Sequence, residues 1–155
     1  MKEGMKILIA YDGSEHSMHA LNQGASLANI TDSVIIILSV IPRIIMPLLP
    51  AEGMGASPTS MEHTSNEFQQ QMKSFYAESL EKARREISEE YPELEVETQL
   101  REGKPSSTIL EMTDTGDIDL IVIGSRGLGG VTEWLLGSTS RKVVGSSKIP
   151  VLVIK

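Results

Sequence analysis

Near its carboxyl end the chain reads IVIGSRGLGGVTEWLLGSTS, residues 121–140, where an apolar run gives way to four glycines within seven positions and then to Gly-Ser-Thr-Ser. Ordered glycine costs conformational entropy, roughly 0.5–1 kcal/mol relative to alanine inside an element, so a cluster marks tight turns or close approach of another group to the backbone. The spacing is Gly124, two residues, Gly127, nine residues, then Gly137 followed by Ser138. Gly124 and Gly127 are expected to let a loop bend and aim backbone N–H groups at an oxyanion. Gly137, Ser138, Thr139 and Ser140 are expected to open a helix whose unpaired N–H donors and positive dipole end suit phosphate. Two other phosphate patterns are missing: no G-x-x-x-x-G-K-[ST] supplies a P-loop lysine, and no G-x-G-x-x-G follows the first strand.

A second group of polar residues lies near the amino end, in Ala10-Tyr11-Asp12-Gly13-Ser14. Asp12 either accepts hydrogen bonds from ribose hydroxyls, helps hold a metal, or merely serves the turn, and Ser14 is placed to cap the helix that follows. Arg126 either pairs with phosphate or points into water. His16 and His19 sit one helical turn apart, as a metal pair would, but with no third ligand a solvated helix face is the simpler reading. Glu133 and Trp134, between the glycines, either rim the site or anchor packing. The Glu-rich tract from Glu78 to Glu97 is interleaved with Lys82, Arg84 and Arg85 and reads as a solvated face.

Five apolar runs must position these residues: Lys6 to Tyr11, Ser33 to Ile41, Glu93 to Leu100, Asp119 to Gly124 and Pro150 to Lys155. Helical patterns fall between them, over Ser14 to Asn29, Ser60 to Glu90, Pro105 to Thr115 and Ser138 to Gly145. The second carries the stripe Phe68, Met72, Phe75, Tyr76, Ser79, Leu80, Ala83 and Ile87. Strand and helix in alternation predict an α/β fold, a doubly wound five-stranded parallel sheet with helices on both faces. Four runs are almost continuously apolar, whereas the third alternates Leu94, Val96, Thr98 and Leu100 with polar residues and reads as an edge strand. With right-handed crossovers the simplest order is 3-2-1-4-5. Ligands in such sheets bind where the order reverses, here between the loops after Tyr11 and after Ile123. The proline-rich connection over 42–60 leaves the second strand beside that crevice, as either a cover or a flexible insertion.

Composition bounds the function. The 155 residues fit a single domain, 1–155, with an aliphatic core. The net charge of −7 disfavours nucleic acid and anionic membrane, yet Leu120 to Lys155 carries five cations against Glu133 alone, a local sign suited to a small anionic ligand. Without cysteine there are no disulfides, thiolate metal sites or thiol nucleophiles. Neither a signal h-region nor an apolar run of about 20 residues is present, so a cytoplasmic protein is expected.

The motif G-x2-G-x9-G-[ST], matched by Gly124, Gly127, Gly137 and Ser138, together with ILIAYDGSEHS, DLIVIGSRG and IPVLVIK, resembles the ATP-binding branch of the universal stress protein family over almost the whole length. The resemblance implies ATP or another adenine nucleotide, with or without Mg, held between the loops after the first and fourth strands. It implies further that the backbone of Ala10 and Val40 borders the base and that Asp12 contacts its ribose or adenine side. Ser125, Arg126 and Gly127 would then line the phosphates, and Gly137, Ser138, Thr139 and Ser140 would bind them. The chain departs from the family at Gly145-Ser146-Ser147-Lys148, which replaces a more helical segment. A homodimer is implied too, and the expected sheet order leaves Val151, Leu152, Val153 and Ile154 as an apolar edge able to pair with a second copy. The expected function is that of a nucleotide-dependent regulatory or protective module. The alternatives are a slow ATPase or transferase using the same pocket, or a dimeric scaffold with incidental nucleotide; no catalytic residue or metal ligand is assigned.

Overall fold

The computed structural model describes residues 4–43, 58–127 and 135–155. Its elements in chain order are β1 (Lys6–Ala10), α1 (Glu15–Thr31), β2 (Val34–Ile41), α2 (Pro58–Glu90), β3 (Val96–Glu102), α3 (Pro105–Thr113), β4 (Leu120–Gly124), α4 (Ser138–Ser146) and β5 (Val151–Ile154). The five strands form one sheet in the order β3-β2-β1-β4-β5. Every pairing is parallel, with Leu8 opposite Ile36 on one side and Ile121 on the other. Fold class and strand order are those expected from the alternation of elements.

Strand side chains point alternately to the two faces, so each apolar strand supplies two cores. On one face Ile7, Ile9, Ile35, Ile37 and Val122 pack with Ala20, Leu21 and Ala25 of α1 and with Leu80, Ala83 and Ile87 of α2. On the other, Leu8, Leu38, Val40, Ile121 and Ile123 pack with Ile109 of α3 and Val143 of α4. Both faces of β1 are therefore covered, which fixes the carboxyl ends of β1 and β4 side by side.

Local signals behave as their chemistry requires. Ser14 caps α1 by accepting the Ser17 N–H at 3.2 Å, and Asp32 ends that helix in the left-handed conformation, its N–H bonded to the Ala28 carbonyl. The atypical Gly145-Ser146 pair stays within α4, which closes with the Ser147 N–H on the Val143 carbonyl.

Two expectations need correction. The third strand is displaced from Glu93–Leu100 to Val96–Glu102, because Leu94 closes a turn on the Tyr91 carbonyl while pairing with β2 carries the strand on to Glu102 opposite Ile41. The stripe on α2 is only half a core: Tyr76, Leu80, Ala83 and Ile87 are buried, whereas Phe68 and Phe75 are 42% and 62% exposed. Most of the proline-rich connection, 44–57, and both Glu133 and Trp134 lie outside the described residues.

Candidate functional site

Where β1 ends, the chain makes a tight turn that faces β4. The Tyr11 N–H bonds to the Leu38 carbonyl at 2.8 Å, and the Ser39 hydroxyl holds the Tyr11 carbonyl at 2.7 Å, so β2 fixes the start of the turn. Asp12 accepts the Ser14 N–H on Oδ1 at 2.9 Å, and Gly13 takes a φ of +83°, a left-handed geometry that favours glycine. Turn and helix cap are thus one unit that aims the Asp12 carboxylate over the sheet's carboxyl edge.

Across from it, the loop after β4 is stitched to the helix it feeds. Ser125 donates its N–H to the Ile154 carbonyl at 2.7 Å, while its own carbonyl accepts the Gly137 N–H at 2.8 Å and the Ser140 hydroxyl at 3.0 Å. Its hydroxyl pairs with His16 Nδ1 at 3.2 Å. That contact is the use the structure makes of His16, which is half-buried, whereas His19 is exposed. Among the described residues no three potential ligands cluster to hold a metal.

The motif glycines act through contact rather than through bending. Neither Gly124 nor Gly127 has a positive φ. A methyl on Gly124 would lie 2.8 Å from the backbone carbonyl of His16, and one on Gly127 would lie 2.7 Å from Asp12 Oδ2. Gly124 lets α1 lie against β4; Gly127 lets the two loops approach each other.

A cavity of about 570 Å³ opens between these loops. All the expected site residues line it except Ser125, which stands behind the wall with its polar atoms committed to the stitching just described. Ala10 and Val40 border it with Leu38, Ile109 and Ile123, giving an apolar wall from the sheet and α3. At the other end stand Gly127, Gly137, Ser138 and Thr139, with Arg126 and Arg141. Helix α4 begins at Gly137 with no side-chain cap, so its first-turn N–H groups are donors at the cavity. The Ser140 hydroxyl also lies there, shared between the carbonyls of Ser125 and Gly137. Among the described charged lining residues, Asp12 is the acid and Arg126 and Arg141 are the bases.

Sequence reasoning missed several polar residues of this cavity, Arg141 and Tyr76 among them. Arg141 follows the Gly-Ser-Thr-Ser string directly and could have been found by counting one turn into α4; its Nη2 donates to the Leu136 carbonyl at 3.2 Å. Tyr76 comes from α2, with its ring set edge-on to Phe75 at 6.0 Å between centroids. The only signal in the sequence was a phenol in a largely apolar stripe.

A doubly wound parallel sheet with a cleft at its switch point, an acid on one loop and an uncapped helix start on the other, defines an α/β protein with a cleft whose lining is chemically suited to a small, partly anionic ligand. The Universal stress protein family model matches residues 5–155, and the chain belongs to that family. It is 33% identical over 150 residues to the universal stress protein YxiE of Bacillus subtilis, covering 97% of this chain and 98% of that one. Among solved structures, the universal stress protein UspA of Lactobacillus plantarum superposes with a TM-score of 0.81 at 19% identity over the full length of both. Two further neighbours carry nucleotides. One is a universal stress protein in complex with cAMP, with a TM-score of 0.65 at 19% identity over 99% of both chains. The other is from Archaeoglobus fulgidus in complex with dAMP, with a TM-score of 0.62 at 23% identity over 97% of this chain and 98% of that one.

Proposed function

We propose that the cleft binds an adenine nucleotide, ATP in the first instance, and that the protein is a nucleotide-dependent regulatory or protective module acting as a homodimer. The observation that carries this reading is the uncapped start of α4 opening onto a cavity with an apolar wall at one end and Asp12 between. The base lies against Ala10 and Val40, and the phosphates lie on the N–H groups of Gly127, Ser138 and Thr139, with Arg126 beside them. A helix start with unpaired donors gains most from the multiply charged end of such a ligand. A Mg²⁺ ion bound with ATP would take its oxygens chiefly from phosphate and water. Neighbours of the same fold bound to cAMP and dAMP support the choice of adenine.

Binding shifts populations only through differential affinity, so nucleotide acts as a signal if the bound form presents a different surface to a partner. The test is to denature the protein as purified, identify any released small molecule by mass spectrometry, and titrate ATP into the nucleotide-free protein. Gly127→Val and Ser138→Ala are both expected to weaken calorimetric affinity. Unchanged affinity in both would remove the site as drawn.

A further inference from the structure

Among the described residues α2 supplies a single side chain to the cavity wall, and it is polar. Tyr76, eighteen residues into α2, is only 8% exposed, yet it lines the cleft, and among the described residues its hydroxyl has no hydrogen-bond partner. A buried phenol normally finds a partner, and one left open onto a cavity is a donor directed at whatever fills it. Burial, and after it the negative charge of Asp12, hold the phenol's pKa above its ordinary 10.0, so the proton stays in place across the physiological range. Asp12 and Tyr76 are therefore neighbours of opposite hydrogen-bonding character, an ionised acceptor and a neutral hydroxyl that donates first.

We infer that Tyr76 and Asp12 together form a clamp for the sugar hydroxyls of the bound nucleotide, which makes Tyr76 a specificity-determining residue for ribose; this rests on the nucleotide reading above. The position along the cleft selects the sugar. Asp12 stands 2.7 Å from where a methyl on Gly127 would be, so it adjoins the phosphate loop, whereas the wall suited to a base is the apolar surface of Ala10, Leu38, Val40 and Ile109. Between base and phosphate lies the sugar. A vicinal diol can donate one hydroxyl proton to a carboxylate while its neighbouring oxygen accepts from a phenol. The geometry brings α2 into the site through a residue that lies outside the glycine motif.

Calorimetric titration with ATP, 2′-deoxy-ATP and 3′-deoxy-ATP tests this on the full chain, wild type and Tyr76→Phe, a change that removes one oxygen and keeps the ring. The wild type is expected to bind ATP about 3- to 10-fold more tightly than at least one deoxy analogue, the range of one net hydrogen bond. In Tyr76→Phe that preference disappears, because ATP falls to the level of the analogue while the analogue's affinity is unchanged. Equal binding of all three by the wild type, or an equal fall for all three in the variant, overturns the clamp and leaves the nucleotide reading standing. If the wild type binds none of the three, the nucleotide reading fails and the clamp with it.

Discussion

Gly124, Gly127 and Gly137 belong to one motif, yet their surroundings assign them different physical tasks. At Gly124 an added methyl meets the backbone carbonyl carbon and oxygen of His16 at 2.8 Å, so α1 itself must move. At Gly137 the nearest atoms are 3.5 Å away, an ordinary contact, and a φ of −58° is open to any residue. Gly124→Ala is therefore expected to destabilise the fold by about 1–3 kcal/mol, as overpacking does. Gly137→Ala is expected to cost at most about 1 kcal/mol, the difference between residue types at a helix start, while weakening ATP binding because a methyl then stands beside the open amides of α4. Urea denaturation and calorimetry on the same two variants check both halves. A Gly137→Ala protein that is stable and binds ATP undiminished would mean that those amides do not carry the phosphates.

Helix α2 shows how an element can outgrow the layer it belongs to. Its 33 residues extend about 50 Å, against about 26 Å for the eight residues of β2, so it cannot lie on the sheet along its whole length. Among the described side chains of α2 the buried positions begin at Tyr76 and continue through Leu80, Ala83 and Ile87; from Thr64 to Phe75 none is buried. Helical hydrogen bonds that no tertiary contact protects open locally with little free energy. Hydrogen exchange followed by mass spectrometry is thus expected to show amides before Met72 exchanging about a hundredfold faster than those of 77–89, and uniform protection would mean that the amino half is covered in solution. The same helix marks where the sequence stopped being informative. Its 3.6-residue stripe was legible from Phe68 to Ile87, but periodicity records which residues share a face and not whether anything faces them. Pairing was likewise legible in kind but not in register at β3, where the turn at Leu94 and the ladder to β2 overrode local propensity. Of the site, the glycine and aspartate positions could be read because motif spacing is a property of the chain. Tyr76 could not, since its approach to Asp12 depends on how α2 crosses the turn after β1, where the Ser79 hydroxyl meets the Tyr11 hydroxyl at 3.4 Å.

At the scale of the whole molecule the two edges of the sheet differ. The β3 edge carries Glu97, Arg101 and Glu102, charges that discourage a second strand from adding there, while the β5 edge presents Val151, Leu152, Val153 and Ile154. Among the described residues β5 is paired on one side only, with β4, and Leu152 is 38% exposed. An unpaired apolar edge invites another strand, and antiparallel pairing of β5 with its own copy about a twofold axis satisfies both copies at once and closes the assembly. The protein is therefore expected to run in light scattering at a mass near twice 16.9 kDa at micromolar concentration. Leu152→Lys tests the edge: the side chain contributes little to the core of one copy, but in a twofold pair it brings two ammonium groups close together, and like charges across a strand pair are destabilising. The variant should run as a folded monomer with an unchanged far-ultraviolet circular dichroism spectrum, and Glu97→Lys on the opposite edge should leave the dimer intact. A monomeric wild type, or a Leu152→Lys protein that still runs at the dimer mass, would show that β5 does not hold two copies together.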